Sequence, residues 1–134
     1  MDIDYLLLAD AAMAVQGKHY LLGAGWDTVF APSFPASYPS FGVALRVRAT
    51  GSEERRAYDL EVDVVDATGR SILPVPPGPL RSAVDVRQAD RLICMAFTLI
   101  GIAFPSSGTY AVVARLEGGV EFSTPFTVEA APGS

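Results

Sequence analysis

The sequence predicts an all-β domain, a two-layer antiparallel β-sandwich of about eight or nine strands. Three observations carry this expectation. Ten prolines and twelve glycines divide the 134 residues into short segments, leaving few windows long enough for an uninterrupted helix. Several segments alternate apolar and polar residues with the two-residue period of a half-buried strand. Turn signals fall between them at a spacing that sandwiches and barrels share, and the sandwich is preferred.

Residues 4–15 and 19–26 read as a hairpin turned by Gln16-Gly17-Lys18, glycine supplying the positive φ of a tight turn. The stretch LLLADAAMAV alone has helix propensity, so its strand assignment rests on that turn and on the β-rich remainder. Residues 27–40 carry Pro32, Pro35 and Pro39 and read as a long, stiff crossover loop, because proline cannot donate to a ladder. In 41–48, Phe41, Val43, Leu45 and Val47 share one face, with Arg46 and Arg48 on the other. In 58–64, Tyr58, Leu60, Val62 and Val64 oppose Asp59, Glu61 and Asp63, so a one-residue slip would bury carboxylates. These two strands are expected to pair across the polar 51–56 connection, with Arg46 and Arg48 facing the acids.

Ala67-Thr68-Gly69 turns the chain into a short strand near 70–73, and four prolines within 74–79 oppose regular pairing there. Residues 80–86 read as a short edge strand. Residues 92–104 are the most apolar run, interrupted only by Thr98 and Gly101, which predicts a strand covered on both faces. Residues 109–116 and 120–128 pair across Gly118-Gly119, and a tail at 130–134 is expected to fray. Gly108-Thr109-Tyr110 resembles the tyrosine corner of immunoglobulin-like domains, whose phenol bonds back to upstream backbone. The sandwich is therefore assigned to the immunoglobulin-like class, although its paired cysteines are missing.

Residues 1–134 fit one such domain, half of it apolar and able to bury a core without staples. A net charge of −5 with only 19% charged residues lacks the basic stripe that a phosphate backbone requires. It also lacks the clustered cations that dock on anionic lipid, so neither nucleic acid nor membrane is an expected partner. Residues 5–15 are apolar but follow Asp2 and Asp4 without a basic flank and contain Asp10, unlike a secretory leader. A cytoplasmic location is expected. Cys94 stands alone, so the fold does not depend on a disulfide.

Candidate chemistry is sparse. His19 is the sole histidine, and Asp27 and serines 33, 37 and 40 fall in no nucleophile-elbow or metal-ligand spacing around it; it reads as a surface or edge histidine. Cys94, between Ile93 and Met95, reads as an inert core thiol. Asp59, Glu61, Asp63 and Asp66 form an acidic row that matches no calcium loop, and they read as a solvated face partly neutralised by Arg46 and Arg48. Gly23-Ala24-Gly25 lacks the third glycine and the helix of a dinucleotide fingerprint and fits a bulge beside Trp26. No catalytic residue, metal or cofactor is assigned, and the chain is not read as an enzyme. The aromatic- and proline-rich segment after Gly25 is the most unusual: Trp26, Phe30, Phe34 and Tyr38 either cap one open end of the sandwich or form an interaction surface.

The segments D-Y-L-L-L-A-D-A-A at 4–12, G-K-x-Y-L-L-G-A-G-W-D at 17–27, F-A-P-S-F-P at 30–35 and F-P-x-x-G-x-Y at 104–110 together resemble a family of small bacterial proteins catalogued only as a domain of unknown function. The resemblance spans nearly the whole chain and implies a bacterial, cytoplasmic β-sandwich. It brings no activity, so no functional residue is transferred. The leading expectation is a non-catalytic interaction module that self-associates or docks on a partner protein, because runs 5–15 and 92–104 are apolar on both faces. The alternative is a small-ligand binding domain with an apolar pocket under the 26–39 loop. An enzyme using His19 or the acidic row ranks last.

Overall fold

The computed structural model describes residues 1–75, 77–87 and 92–132. Among the described residues nine strands follow in order: β1 (Asp2–Val15), β2 (Lys18–Ala24), β3 (Thr28–Ala31), β4 (Ala36–Arg48), β5 (Ala57–Asp66), β6 (Leu80–Asp85), β7 (Leu92–Phe104), β8 (Gly108–Leu116) and β9 (Val120–Ala130). They form a four-stranded sheet, β2-β1-β4-β7, and a five-stranded sheet, β3-β9-β8-β5-β6. The inward residues of both sheets meet in one apolar cluster. Among the described residues no helix is long and apolar enough to cross a membrane.

Local chemistry places most of these elements. Gln16 and Gly17 both have positive φ, 52° and 73°, the backbone that lets a two-residue turn follow the strand twist, and β1 and β2 pair around them from Val15↔Lys18 to Ala9↔Ala24. Phe41, Val43, Leu45 and Val47 of β4 are fully buried, as are Leu60, Val62 and Val64 of β5, matching the alternation in the sequence. Gly118 and Gly119 turn β8 into β9 with φ near 98° and 95°. Tyr110 donates its hydroxyl to the Ser106 carbonyl at 2.7 Å, the backbone bond expected of its position. Tyr110→Phe should lower stability by about 0.5–1.5 kcal/mol, because the half-buried carbonyl loses its donor while the ring stays packed; urea unfolding checks this.

Several expectations are overturned. β4 and β5 lie in different sheets, so the 51–56 segment crosses between layers and does not close a hairpin. Alternation fixes which face a strand buries, but not which neighbour shares its ladder. Arg46 and Arg48 consequently reach Asp4 of β1, and the acidic row of β5 is met by Arg115 and Arg81. Residues 27–40 are not all loop. β3 pairs with β9, and in parallel, so the domain is not antiparallel throughout. β4 begins at Ala36 and carries Pro39 within a ladder whose partners run from Ala36↔Phe104 to Arg48↔Leu92.

Near 70–73 there is only an isolated bridge, Val65↔Ser71. β7 is an edge strand, not one covered on both faces: Ile100 is 78% exposed. Ala130 closes β9 against Ala31, while residues 133–134 of the expected frayed tail lie outside the described residues.

Asp4 sets a measurable pH dependence. It accepts from Arg46 Nε at 3.0 Å and from Arg48 Nε at 3.2 Å. Hydrogen bonding from Arg48, joined by Arg46 and opposed by partial desolvation, holds its carboxyl below the usual carboxylate range. A carboxyl with a depressed folded-state value contributes stability above its unfolded value and loses it as pH falls through the folded one. Asp4→Asn should therefore be less stable than the parent at neutral pH. The two unfolding midpoints should converge in acid.

Candidate functional site

The second half of β1 and all of β2 form an arm that leans over the outer face of the four-stranded sheet. Gly42 makes this possible. A side chain there would point away from the core, and its Cβ would stand 2.6 Å from the Ala12 backbone nitrogen and 2.8 Å from the Ala12 Cβ. Only glycine lets the arm cross so close to β4. Beyond that crossing β2 approaches β7, although two strands separate them in the ladder order.

The arm is latched by His19, which is half-buried and bonded at both ring nitrogens. Its Nε2 lies 2.8 Å from the Met95 carbonyl of β7. A carbonyl only accepts, so Nε2 carries the proton, and in the neutral ring Nδ1 is the acceptor. Nδ1 lies 2.6 Å from the Tyr5 hydroxyl, which donates to it. Burial is the largest cause raising the Tyr5 phenol above its usual value; the neighbouring Cys94 adds to this, and Arg46 opposes it. The Arg46 guanidinium sits 4.9 Å from the Tyr5 ring centroid. Tyr5 thus stays a donor at neutral pH.

His19 therefore lies on an edge strand, as expected, but half-buried and with both ring nitrogens bonded. Among the described residues no cluster of three or more His, Cys, Asp or Glu could hold a metal. Cys94 is half-buried beside Tyr5, between Ile93 and Met95, which are themselves only partly buried against the core, so it is not the core thiol expected. The sequence carried no signal for this meeting, because 76 residues separate His19 from its β7 partner.

The arm has two unlike faces. Ala12, Ala14, His19 and Leu21 are half-buried against the sheet, whereas Met13, Val15, Tyr20 and Leu22 are exposed, Leu22 at 72%. The registers Met13↔Tyr20 and Ala11↔Leu22 put these exposed side chains side by side. A shallow depression lies among them over Ala11 and Ala12.

Of the four residues expected as an interaction surface, three lean inward. Trp26 meets Phe41 and Phe126 edge-on at 5.8 and 6.4 Å, and Tyr38 packs at 5.9 Å from Phe41. Phe34 is partly buried against the core, next to a cis peptide bond to Pro35. Only Phe30 is exposed, at 55%. Below this segment lies a cavity of about 310 Å³ lined by Phe30, Pro32, Pro35, Tyr38 and Phe104, with the Ser33 and Ser37 residues at its wall. Among the described residues the buried Trp26 indole nitrogen meets no hydrogen-bond partner.

The acidic row does not act as one site. Asp63 is buried and shares Arg115 at 3.2 Å with Glu61 at 3.5 Å, and it also accepts from the Ser71 hydroxyl at 2.7 Å. Asp66 instead organises the 66–70 turn, accepting from the Thr68 hydroxyl and backbone and from Arg70 N. An arginine at the centre of the row occupies the carboxylate lone pairs that a cation would need.

Fold and site together define an all-β domain of two sheets around one core, with a latched hairpin arm that presents an apolar face. The chain belongs to a family of unknown function (DUF6941), whose model matches residues 4–129, in agreement with the resemblance read from its motifs. No curated protein matches it.

Proposed function

We propose that the chain is a non-catalytic protein-interaction module that docks through the outward face of the β1–β2 arm, carried on an immunoglobulin-like sandwich. The carrying observation is the contiguous exposure of Met13, Val15, Tyr20 and Leu22 on an arm held at its tip by His19. A surface already ordered loses little conformational freedom on binding, and Tyr and Met are enriched where proteins meet. The Tyr110 bond to Ser106 supports the immunoglobulin-like assignment. The test pairs two measurements on Met13→Ser/Leu22→Ser. Circular dichroism and melting should match the parent, while a partner that the parent captures from native-host extract is lost. Retention of that partner by the folded double variant defeats the proposal.

The cavity under the 26–39 segment favours a second reading, a small apolar ligand held near Phe104 and Tyr38. This reading requires adducts in native mass spectra or a ligand-dependent rise in melting temperature. Neither is needed by the docking reading.

A further inference from the structure

The outward face of the arm carries a cation that no carboxylate answers. Ala11, Met13 and Val15 of β1 stand opposite Leu22, Tyr20 and Lys18 of β2, so strand alternation puts all six side chains on the same side. Asp10 is one place out of step with Ala11 and falls on the other side, where its carboxylate fills the space that a side chain at Gly23 would need. Elsewhere the cations are neutralised within the chain: Arg46, Arg48, Arg56, Arg81, Arg87 and Arg115 are each held by a carboxylate. Lys18 is exposed, and among the described residues its ammonium enters no ion pair or hydrogen bond. It is the sole lysine, a compact point charge suited to a single carboxylate where arginine would offer a planar fork.

We infer that this face docks an apolar segment of a partner protein that sets one carboxylate against Lys18. The inference rests on the docking reading above and specifies the chemistry of the partner. The depression over Ala11 and Ala12, edged by Met13, Tyr20 and Leu22, receives an apolar anchor side chain. From the Ala11↔Leu22 pair to the Val15↔Lys18 pair is four residues, about 13 Å along the strands. The carboxylate therefore stands about four residues from the anchor in an extended segment. Val15 lies directly opposite Lys18, so docking forms the ion pair beside apolar surface, where loss of water strengthens it. A lipid surface fits the face less well. An anionic leaflet gains little from one cation on a chain of net charge −5, and helices that lie in a membrane surface flank their apolar face with several Lys or Arg.

A displayed library of random dodecapeptides is the probe. It is selected on the full chain and counter-selected on Met13→Ser/Leu22→Ser, with circular dichroism confirming that every variant folds. The enriched peptides should combine large apolar residues with an Asp or Glu about four places away. Lys18→Ser should weaken their binding about fivefold, and added salt should weaken the parent complex more than the Lys18→Ser complex. Lys18→Glu should bind them more weakly still, and lysine in place of the acid of the peptide should restore affinity for that variant. Peptides that require Met13 and Leu22 yet are indifferent to Lys18→Ser overturn the inference and leave the docking reading standing. Failure to enrich any peptide on the parent overturns the inference as well. Binding of the parent to phosphatidylcholine–phosphatidylglycerol vesicles that is lost in Lys18→Ser would assign the face to lipid and overturn it too.

Discussion

Phe126→Ala should destabilise the domain by about 3–5 kcal/mol, the range for deleting a fully buried aromatic side chain. Phe126 is the hub of the aromatic core. Its ring lies 6.4 Å from Trp26, 6.1 Å from Phe41, 5.9 Å from Phe104 and 6.0 Å from Tyr110. These rings come from β4, β7, β8, β9 and the segment before β3, so the cavity would open where both sheets and the capping segment converge. Against a total stability of roughly 5–15 kcal/mol, the loss should shift the urea midpoint strongly and leave the slope unchanged. Phe30→Ala provides the contrast. That ring is exposed although it belongs to the same segment, so its removal should change stability by no more than about 0.5 kcal/mol.

Gly42→Ala should lift the arm. The added methyl would stand 2.6 Å from backbone of the arm and 2.8 Å from the Ala12 Cβ, and neither neighbour is the far end of a flexible chain. The φ of Gly42 is not in the left-handed region, so the effect comes from this contact and not from backbone strain. Overpacking of this kind costs about 1–3 kcal/mol. The consequence should be local before it is global: the hairpin tilts, the His19 bonds to Tyr5 and Met95 stretch, and Cys94 beside Tyr5 becomes accessible. Alkylation of Cys94 should accelerate by at least about tenfold if the lifted state gains 1.4 kcal/mol or more relative to the latched one. Amide exchange should rise in residues 9–24 while β8 and β9 stay protected. Unchanged Cys94 reactivity would show that the arm does not cover that sulfur.

Much of the strand inventory was legible in the sequence because the evidence for it is local. The Gln16-Gly17 and Gly118-Gly119 turns, the alternation of 41–48 and 58–64, and the position of Tyr110 all depend on residues within a few places of one another. The 27–40 segment was misread for a related reason. Proline removes one donor, yet an edge or irregular position tolerates it, and β4 takes in Pro39 without losing its pairing with β7. The arm and its latch were illegible. Neither the closeness of Gly42 to Ala12 nor the joining of His19, Tyr5 and Met95 follows from any spacing along the chain.

The sequence by itself determined the all-β class, the approximate strands, the inward face of 41–48 and of 58–64, and the family, since these depend on side-chain period, turn chemistry and motif identity. Tertiary structure alone decided which strands are neighbours, that β3 runs parallel to β9, that Arg115 and not Arg46 neutralises the acidic row, and that the β1–β2 hairpin folds over its own sheet. The physical reason is that a strand's alternation is satisfied by any partner offering an apolar face. The choice among partners is settled by packing between residues far apart in the chain.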